Sequence, residues 1–151
     1  MYKTIELEEE GGALSGYLVS YSDNNYKNFL SKEVKDEERL KAVIDFIEHN
    51  KYDQVLIIKN LNVEDKYQGK GIGRNLLEGA ISDCSIALLI ADSIESQREN
   101  FQLEQFYEGS DFMKVSSEIS GPLMVFPVDE AYSLKEKLDA LSPEKAIKLK
   151  L

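Results

Sequence analysis

Residues 55–81 read VLIIKNLNVEDKYQGKGIGRNLLEGAI, and the fold turns on how the three parts of this stretch are joined. Val55–Val63 is rich in β-branched residues and apolar on both faces at its start, as in a strand at the centre of a sheet. Ile72, Leu76, Leu77, Ala80 and Ile81 recur at helical spacing and mark an amphipathic helix. Between them DKYQGKGIGR (65–74) holds three of the chain's nine glycines, with Lys66, Lys70 and Arg74 around them. A strand, a glycine-rich turn and a helix in immediate succession can bind phosphate. Gly69, Gly71 and Gly73 carry no Cβ, so backbone N–H groups can converge on an anion. The helix beginning near Gly71 adds its unsatisfied N–H groups and the positive end of its dipole. Lysine and arginine supply charge at the rim.

Outward from this stretch, strands and helices alternate. YKTIELEE (2–9) predicts a strand that turns at Gly11-Gly12, and ALSGYLVSYS (13–22) a second one. From Lys32 to Asn50, Leu40, Val43, Ile44 and Ile47 repeat at helical spacing beside Phe46, which predicts one amphipathic helix. His49, at the end of that pattern, reads as a C-terminal cap interacting with the helix dipole. SIALLIADS (85–93) is a buried strand, and NFQLEQFYEGSDF (100–112) a short helix broken at Gly109. MKVSSEI (113–119) and PLMVFPV (122–128) are strands joined at Ser-Gly-Pro, and DEAYSLKEKLDAL (129–141) is a helix with Asp129 as N-cap and Ser142-Pro143 as its stop. The class is therefore α/β or α+β with a mixed sheet.

A length of 151 residues fits one domain spanning 1–151, with residues 129–151 as a C-terminal helix and tail. Lys+Arg 18 against Asp+Glu 28 leaves a net charge of -10. That argues against nucleic acid and against anionic membrane as partners, since both are bound through basic surface. A negative field instead concentrates cations. No apolar run reaches the roughly 20 residues of a bilayer span. The N-terminus lacks the pattern of a signal peptide. One cysteine, Cys84, forms no intrachain disulfide and suits a reducing cytoplasm. It ends an apolar helical pattern, as a buried or half-buried thiol would. With a single histidine besides, no metal site is expected.

Neither common nucleotide fingerprint fits the turn. No glycine precedes Lys-Ser or Lys-Thr as in a P-loop, and Gly71-x-Gly73 is followed by Leu76 where a Rossmann turn needs glycine. Gln68-Gly69-Lys70-Gly71-Ile72-Gly73 instead resembles the Gln/Arg-x-x-Gly-x-Gly/Ala signature of the GNAT superfamily of acyl-CoA N-acyltransferases. Asn100 and Tyr107 stand seven apart, as in that family's Asn-x-x-Ala-x-x-x-Tyr segment, with Leu103 in place of the alanine. YEGSDF (107–112) resembles its Y-x-x-x-G-F, with Asp111 where glycine is expected. The resemblance runs over residues 55–126. It implies a mixed, mostly antiparallel sheet flanked by helices, in which the signature strand splays from SIALLIADS to admit the pantetheine arm. The family often places two helices and then a strand hairpin before the signature strand; here two strands come first.

The resemblance also implies chemistry: an amine attacks the thioester of acetyl-CoA directly, with no acyl-enzyme. The backbone from Gln68 to Arg74 would hold the pyrophosphate through Gln68, Gly69, Lys70, Gly71, Ile72, Gly73 and Arg74. A backbone N–H among Leu61, Asn62 and Val63 would meet the thioester oxyanion. Asn100 would bond the pantetheine or a water. Tyr107 would protonate the leaving thiolate, a reasonable task for a phenol of ordinary pKa near 10. The strand VLIIKN carries no acid, which leaves Glu64, Asp65 and Asp92 as candidate bases, with Glu64 foremost. The charge suits a small cationic amine as acceptor, and Tyr17, Tyr21, Tyr26 and Phe29 are candidates to line its site. Alternatives are a protein or peptide N-acetyltransferase and a non-catalytic acyl-CoA-binding module. Acetylation of charged transfer RNA sits poorly with the net charge. Dimerisation, common in the family, would use the C-terminal helix or last hairpin.

Overall fold

The computed structural model describes residues 2–91 and 100–141, the side chains of 100–102 excepted. Strands β1 (Tyr2–Glu9) and β2 (Gly12–Val19) form an antiparallel hairpin. Helices α1 (Asn25–Glu33) and α2 (Glu37–Asn50) follow. The single helix predicted over Lys32–Asn50 is thus divided, and helix extends further upstream. Val34 is extended at φ -105°, and Asp36 accepts a hydrogen bond from the Arg39 N–H at 2.9 Å, capping a new helix. His49 lies in the last turn of α2, which closes on Lys51 in left-handed backbone. Then come β3 (Val55–Val63), a 3-10 turn (Asp65–Tyr67), α3 (Ile72–Ile81) and β4 (Ile86–Ile90). Helix α4 (Asn100–Glu108), the hairpin β5 (Met113–Glu118) and β6 (Gly121–Phe126), and α5 (Val128–Asp139) complete the order. The N-cap of α5 is Pro127 rather than Asp129. Val128 is already helical, so Asp129 acts in the first turn, where its charge meets the helix dipole. Ser142-Pro143 and Asp92 lie outside the described residues.

One six-stranded sheet carries these elements in the order β1-β2-β3-β4-β6-β5. Every neighbouring pair is antiparallel except β3 and β4. These two pair only at Val55↔Ile86, Leu56↔Ala87 and Ile57↔Leu88, although β3 runs on to Val63 and β4 to Ile90. Their far ends therefore part into a fork. The parting coincides with an irregularity in β3: Gly16 opposes Ile58 and Ser15 opposes Asn60, which leaves Lys59 as an extra residue. Such a bulge bends its strand and increases the twist.

Alternation along the central strands divides the core in two. Val55, Ile57, Ile86, Leu88, Leu123 and Val125 face α1, α2 and α5. Leu56, Ile58, Ala87, Leu89 and Met124 face α3 and α4. Successive side chains point to opposite faces, so a strand covered on both sides is apolar throughout. Tyr26 and Phe29 are buried in the first of these cores, and Tyr17 stacks on Phe29 with ring centroids 3.9 Å apart. Tyr21 packs at its margin. These four aromatics thus serve packing. Cys84 is half-buried, and burial pushes its thiol up to about 12, so little thiolate forms near neutral pH. Among the described residues no helix is long and apolar enough to cross a membrane.

Candidate active site

The turn after β3 is held from three sides. Tyr67 N–H donates to Glu64 O and Gln68 N–H to Asp65 O, closing the 3-10 turn. The Gln68 amide reaches back, its Nε2 donating to Val63 O at 3.1 Å and to Asp65 Oδ1 at 3.3 Å. Tyr67 lays its ring against Gly11 in the β1–β2 loop, where a Cβ would stand 2.2 Å from the ring. Its hydroxyl donates to Glu10 at 3.0 Å, a bond that holds the phenol above its usual pKa. Lys66 and Lys70 place their ammonium groups 5.3 and 5.5 Å from the same ring, so Tyr67 gathers the turn's cations by cation–π attraction.

The three glycines serve two purposes. Gly69 and Gly71 lie in left-handed backbone (φ 80° and 83°), and open space surrounds the place where each would carry a Cβ. Gly73 has ordinary helical backbone; a Cβ there would meet the Phe106 ring at 3.1 Å and Val63 at 3.4 Å. The first two bend the chain, and the third lets α3 approach α4. Gly71 is the N-cap of α3, and the first helical bond runs from Asn75 N–H to Gly71 O. Between Gln68 and Asn75, the amides of residues 69–74 donate to no described acceptor. They stand at the N-terminal end of α3, where the helix dipole is positive.

A cleft of about 300 Å³ opens in front of these amides. Leu61, Asn62, Val63, Gln68, Gly69, Gly71, Ile72, Gly73 and Arg74 line it together with Tyr107, which brings most of the sequence-predicted residues to one place. Lys70 is exposed beside Tyr67 and does not line the cleft. Sequence reasoning missed Tyr67 and Phe106, which line the cleft as well. Nothing in the local pattern marks Tyr67, whose role depends on Gly11 across the sheet.

A second cleft, of about 230 Å³, lies in the fork between β3 and β4. Among the described residues Glu33, Lys59, Asn60, Ser120 and the Tyr107 phenol give it polar groups, and Leu61, Leu103 and Tyr107 line both clefts. Tyr107 is buried, its ring edge-on to Phe106 and Phe112. It stands at the wall that the two spaces share.

The sequence of residues 17–122 matches the family model of the Acetyltransferase (GNAT) domain. The chain belongs to the GNAT acetyltransferase family. The match begins within β2 and ends within β6, so β1 and α5 lie outside it. Among solved structures, the crystal structure of PH1933 from Pyrococcus horikoshii OT3 is similar over 77% of this chain and 64% of that one, with 22% identity and a TM-score of 0.42. A crystal structure described as that of an acetyltransferase covers 80% of this chain and 66% of its own, with 17% identity and a TM-score of 0.41. This chain thus spans slightly under two thirds of the length of either. No curated protein matches it significantly.

Other GNAT-signature residues sit as follows. Arg74 lines the first cleft and carries its guanidinium to the end of α4, where Nη2 would be 2.8 Å from a Cβ on Gly109. Glu64 is exposed, lines neither cleft, and donates its backbone N–H to Gly11 O at 2.8 Å. Asp65, also exposed, accepts from Gln68. Asn100 opens α4, and its side chain lies outside the described residues. Leu103, at the position of the family's alanine, is buried against both clefts.

Proposed function

We propose that the protein transfers an acetyl group from acetyl-CoA to a primary amine, with a small cationic amine as acceptor. One observation carries this reading: the amides of residues 69–74, without described acceptors, front a cleft that ends on Tyr107. The row of N–H groups at the start of α3 suits a pyrophosphate, and Lys70 and Arg74 add charge at its rim. Among the described residues one edge of β3 has no strand partner past Ile57, so backbone groups of Leu61, Asn62 and Val63 are available to pantetheine and to the thioester oxygen. Asn100 would add a hydrogen bond to the pantetheine or to a water. Acetyl-CoA supplies the activated acyl group; this chain orients it and moves protons. Tyr107 gives its phenolic proton to the departing thiolate. The second cleft, beyond Tyr107, takes the amine. Glu64, exposed and off both clefts, would serve as base only through water. The acidic net charge of -10 favours a cationic acceptor over an anionic one.

The reading is tested by following free thiol release from acetyl-CoA across polyamines, aminoglycosides, amino acids and peptides. Tyr107→Phe is expected to lower kcat by roughly 100-fold or more, the usual worth of general acid catalysis. Its affinity for acetyl-CoA should stay within about twofold, because binding rests on the amides. Tight acetyl-CoA binding without turnover on any amine would instead leave a non-catalytic acyl-CoA-binding module.

A further inference from the structure

We propose that Lys59, Asn60 and Ser120 form a receptor for a carboxylate carried by the acceptor, which makes the acceptor a small amino acid with a basic side chain. This rests on the amine-acetylation reading above and narrows it. All three residues line the cleft in the fork between β3 and β4. Lys59 is the extra residue of the β3 bulge, left over where Gly16 opposes Ile58 and Ser15 opposes Asn60. A bulge re-aims the side chains around it. Here it brings Lys59 and its neighbour Asn60 to one cleft wall, whereas regular alternation would send adjacent side chains to opposite faces. Ser120 arrives from the β5–β6 turn, which is pinned to the end of β4. Ala91 N–H donates to Pro122 O at 2.9 Å. Gly121, at φ 142°, lies so close that a Cβ on it would stand 2.3 Å from Ala91 O.

The three side chains offer donors that suit a carboxylate: an ammonium, an amide N–H and a hydroxyl. All three residues are exposed, and among the described residues their side chains have no hydrogen bond or ion pair. Glu33, the carboxylate on the same cleft, has an interaction of its own and is not part of the receptor. Ile58, Leu61, Leu89 and Ile90 give the cleft an apolar wall, which strengthens an ion pair formed against it. A bare diamine entering this space meets a like charge at Lys59, whereas an amino acid turns that charge to attraction. A basic side chain keeps such an acceptor cationic overall, as the net charge of -10 favours. With its carboxylate seated at Lys59, the acceptor can extend an amine past Leu61 toward Tyr107, at the wall shared with the first cleft.

The experiment compares L-lysine, lysine amide and 1,5-diaminopentane as acceptors. They share one side-chain amine, and the carboxylate is present, neutralised or deleted. The full chain and its Lys59→Met, Lys59→Glu and Ser120→Ala variants are assayed by thiol release from acetyl-CoA, and binding of each acceptor in the presence of CoA is measured by calorimetry. Wild type is expected to favour L-lysine over 1,5-diaminopentane by about 10-fold or more in kcat/KM, mostly through KM, the usual worth of a hydrogen bond to a charged group. Lys59→Met should abolish the preference, Lys59→Glu should invert it, and Ser120→Ala should reduce it in part. Inversion cannot come from damage to the fold, because it requires the variant to gain on the diamine. Equal or poorer use of L-lysine by wild type, or an unaltered preference in Lys59→Met, would overturn the proposal. Should wild type acetylate no amine, the acetylation reading fails and the calorimetric preference still decides. L-lysine bound more tightly than the diamine by wild type but not by Lys59→Met upholds the receptor, and L-lysine left unbound removes it.

Discussion

Asp111 lies in left-handed backbone at φ 69°, at the position where the GNAT pattern carries glycine. The turn needs that conformation: Ser110 and Phe112 both donate their N–H groups to Tyr107 O, and Asp111 donates to Glu108 O. This is how α4 ends and how Tyr107 is anchored from behind. A residue with a Cβ pays about 1 kcal/mol for left-handed backbone, and aspartate tolerates it better than most. Glycine removes that cost but gives back roughly half through the freer unfolded chain. Asp111→Gly is therefore expected to raise stability by about 0.5 kcal/mol, and Asp111→Ala to lower it. Thermal melts of the three proteins check the order Gly, Asp, Ala, and a melting point for the alanine variant at or above wild type would contradict the account. The departure from the family pattern thus changed the residue and kept the turn. The same scale shows what a local reading supplies. Gly69 and Gly71 could be recognised as turn glycines from spacing alone, whereas the packing role of Gly73 depends on Phe106, thirty-three positions away in sequence.

At the scale of elements, α2 is fastened to the hairpin by a buried charge. Arg39 Nε and Nη2 donate to the two carboxylate oxygens of Glu118 at 2.8 and 3.2 Å, and Ser116 Oγ donates to the same group at 2.6 Å. The Glu118 side chain is 2% exposed and that of Arg39 32%. The carboxylate raises the guanidinium above its usual pKa through this hydrogen bond. The unequal burial makes the two deletions unequal. Arg39→Ala strands a buried carboxylate with only a serine for a partner, a loss of about 3 kcal/mol. Glu118→Ala leaves a guanidinium that can turn to water, and the loss should be about 1 kcal/mol. Urea denaturation of both variants tests this, and equal losses would mean that the buried anion is not the dominant cost. The ion pair was invisible in the sequence because it joins positions 79 apart. The break between α1 and α2 was legible: Asp36 followed by Glu37 and Glu38 is a cap with acids in the first turn. So was α1, since Tyr26, Phe29 and Leu30 stand at helical spacing. Asparagine and serine weaken that segment's propensity, and its aromatics invited a binding role that the core already claims.

The whole molecule joins a strongly acidic chain to a cationic turn. β3, α3 and the glycine turn between them could be read from one contiguous stretch, because local geometry assembles them, whereas the fork was implied only by the family resemblance and the first cleft also needs Leu103, Phe106 and Tyr107 from α4. The second cleft could not, since Glu33, Lys59, Leu89, Tyr107 and Ser120 meet only when five segments converge. Net charge acts on a third level, through the field around the molecule. With a net charge of -10, a cation is drawn toward the surface and an anion kept away, except near Lys66, Lys70 and Arg74. The Debye length is about 30 Å at 0.01 M salt and about 10 Å at 0.1 M, so the field reaches across the molecule only in dilute buffer. A diamine carrying two positive charges should accordingly lose several-fold in kcat/KM as salt rises from about 0.01 to 0.3 M, mostly through KM. A zwitterionic amine of similar size, with no net charge to steer, should change by less than about twofold over the same range. Steady-state kinetics with the two acceptors under identical acetyl-CoA saturation cancel any salt effect on the donor site. If both acceptors respond alike, the acidic surface serves solubility alone, and selection of a cationic acceptor then rests on the fork itself.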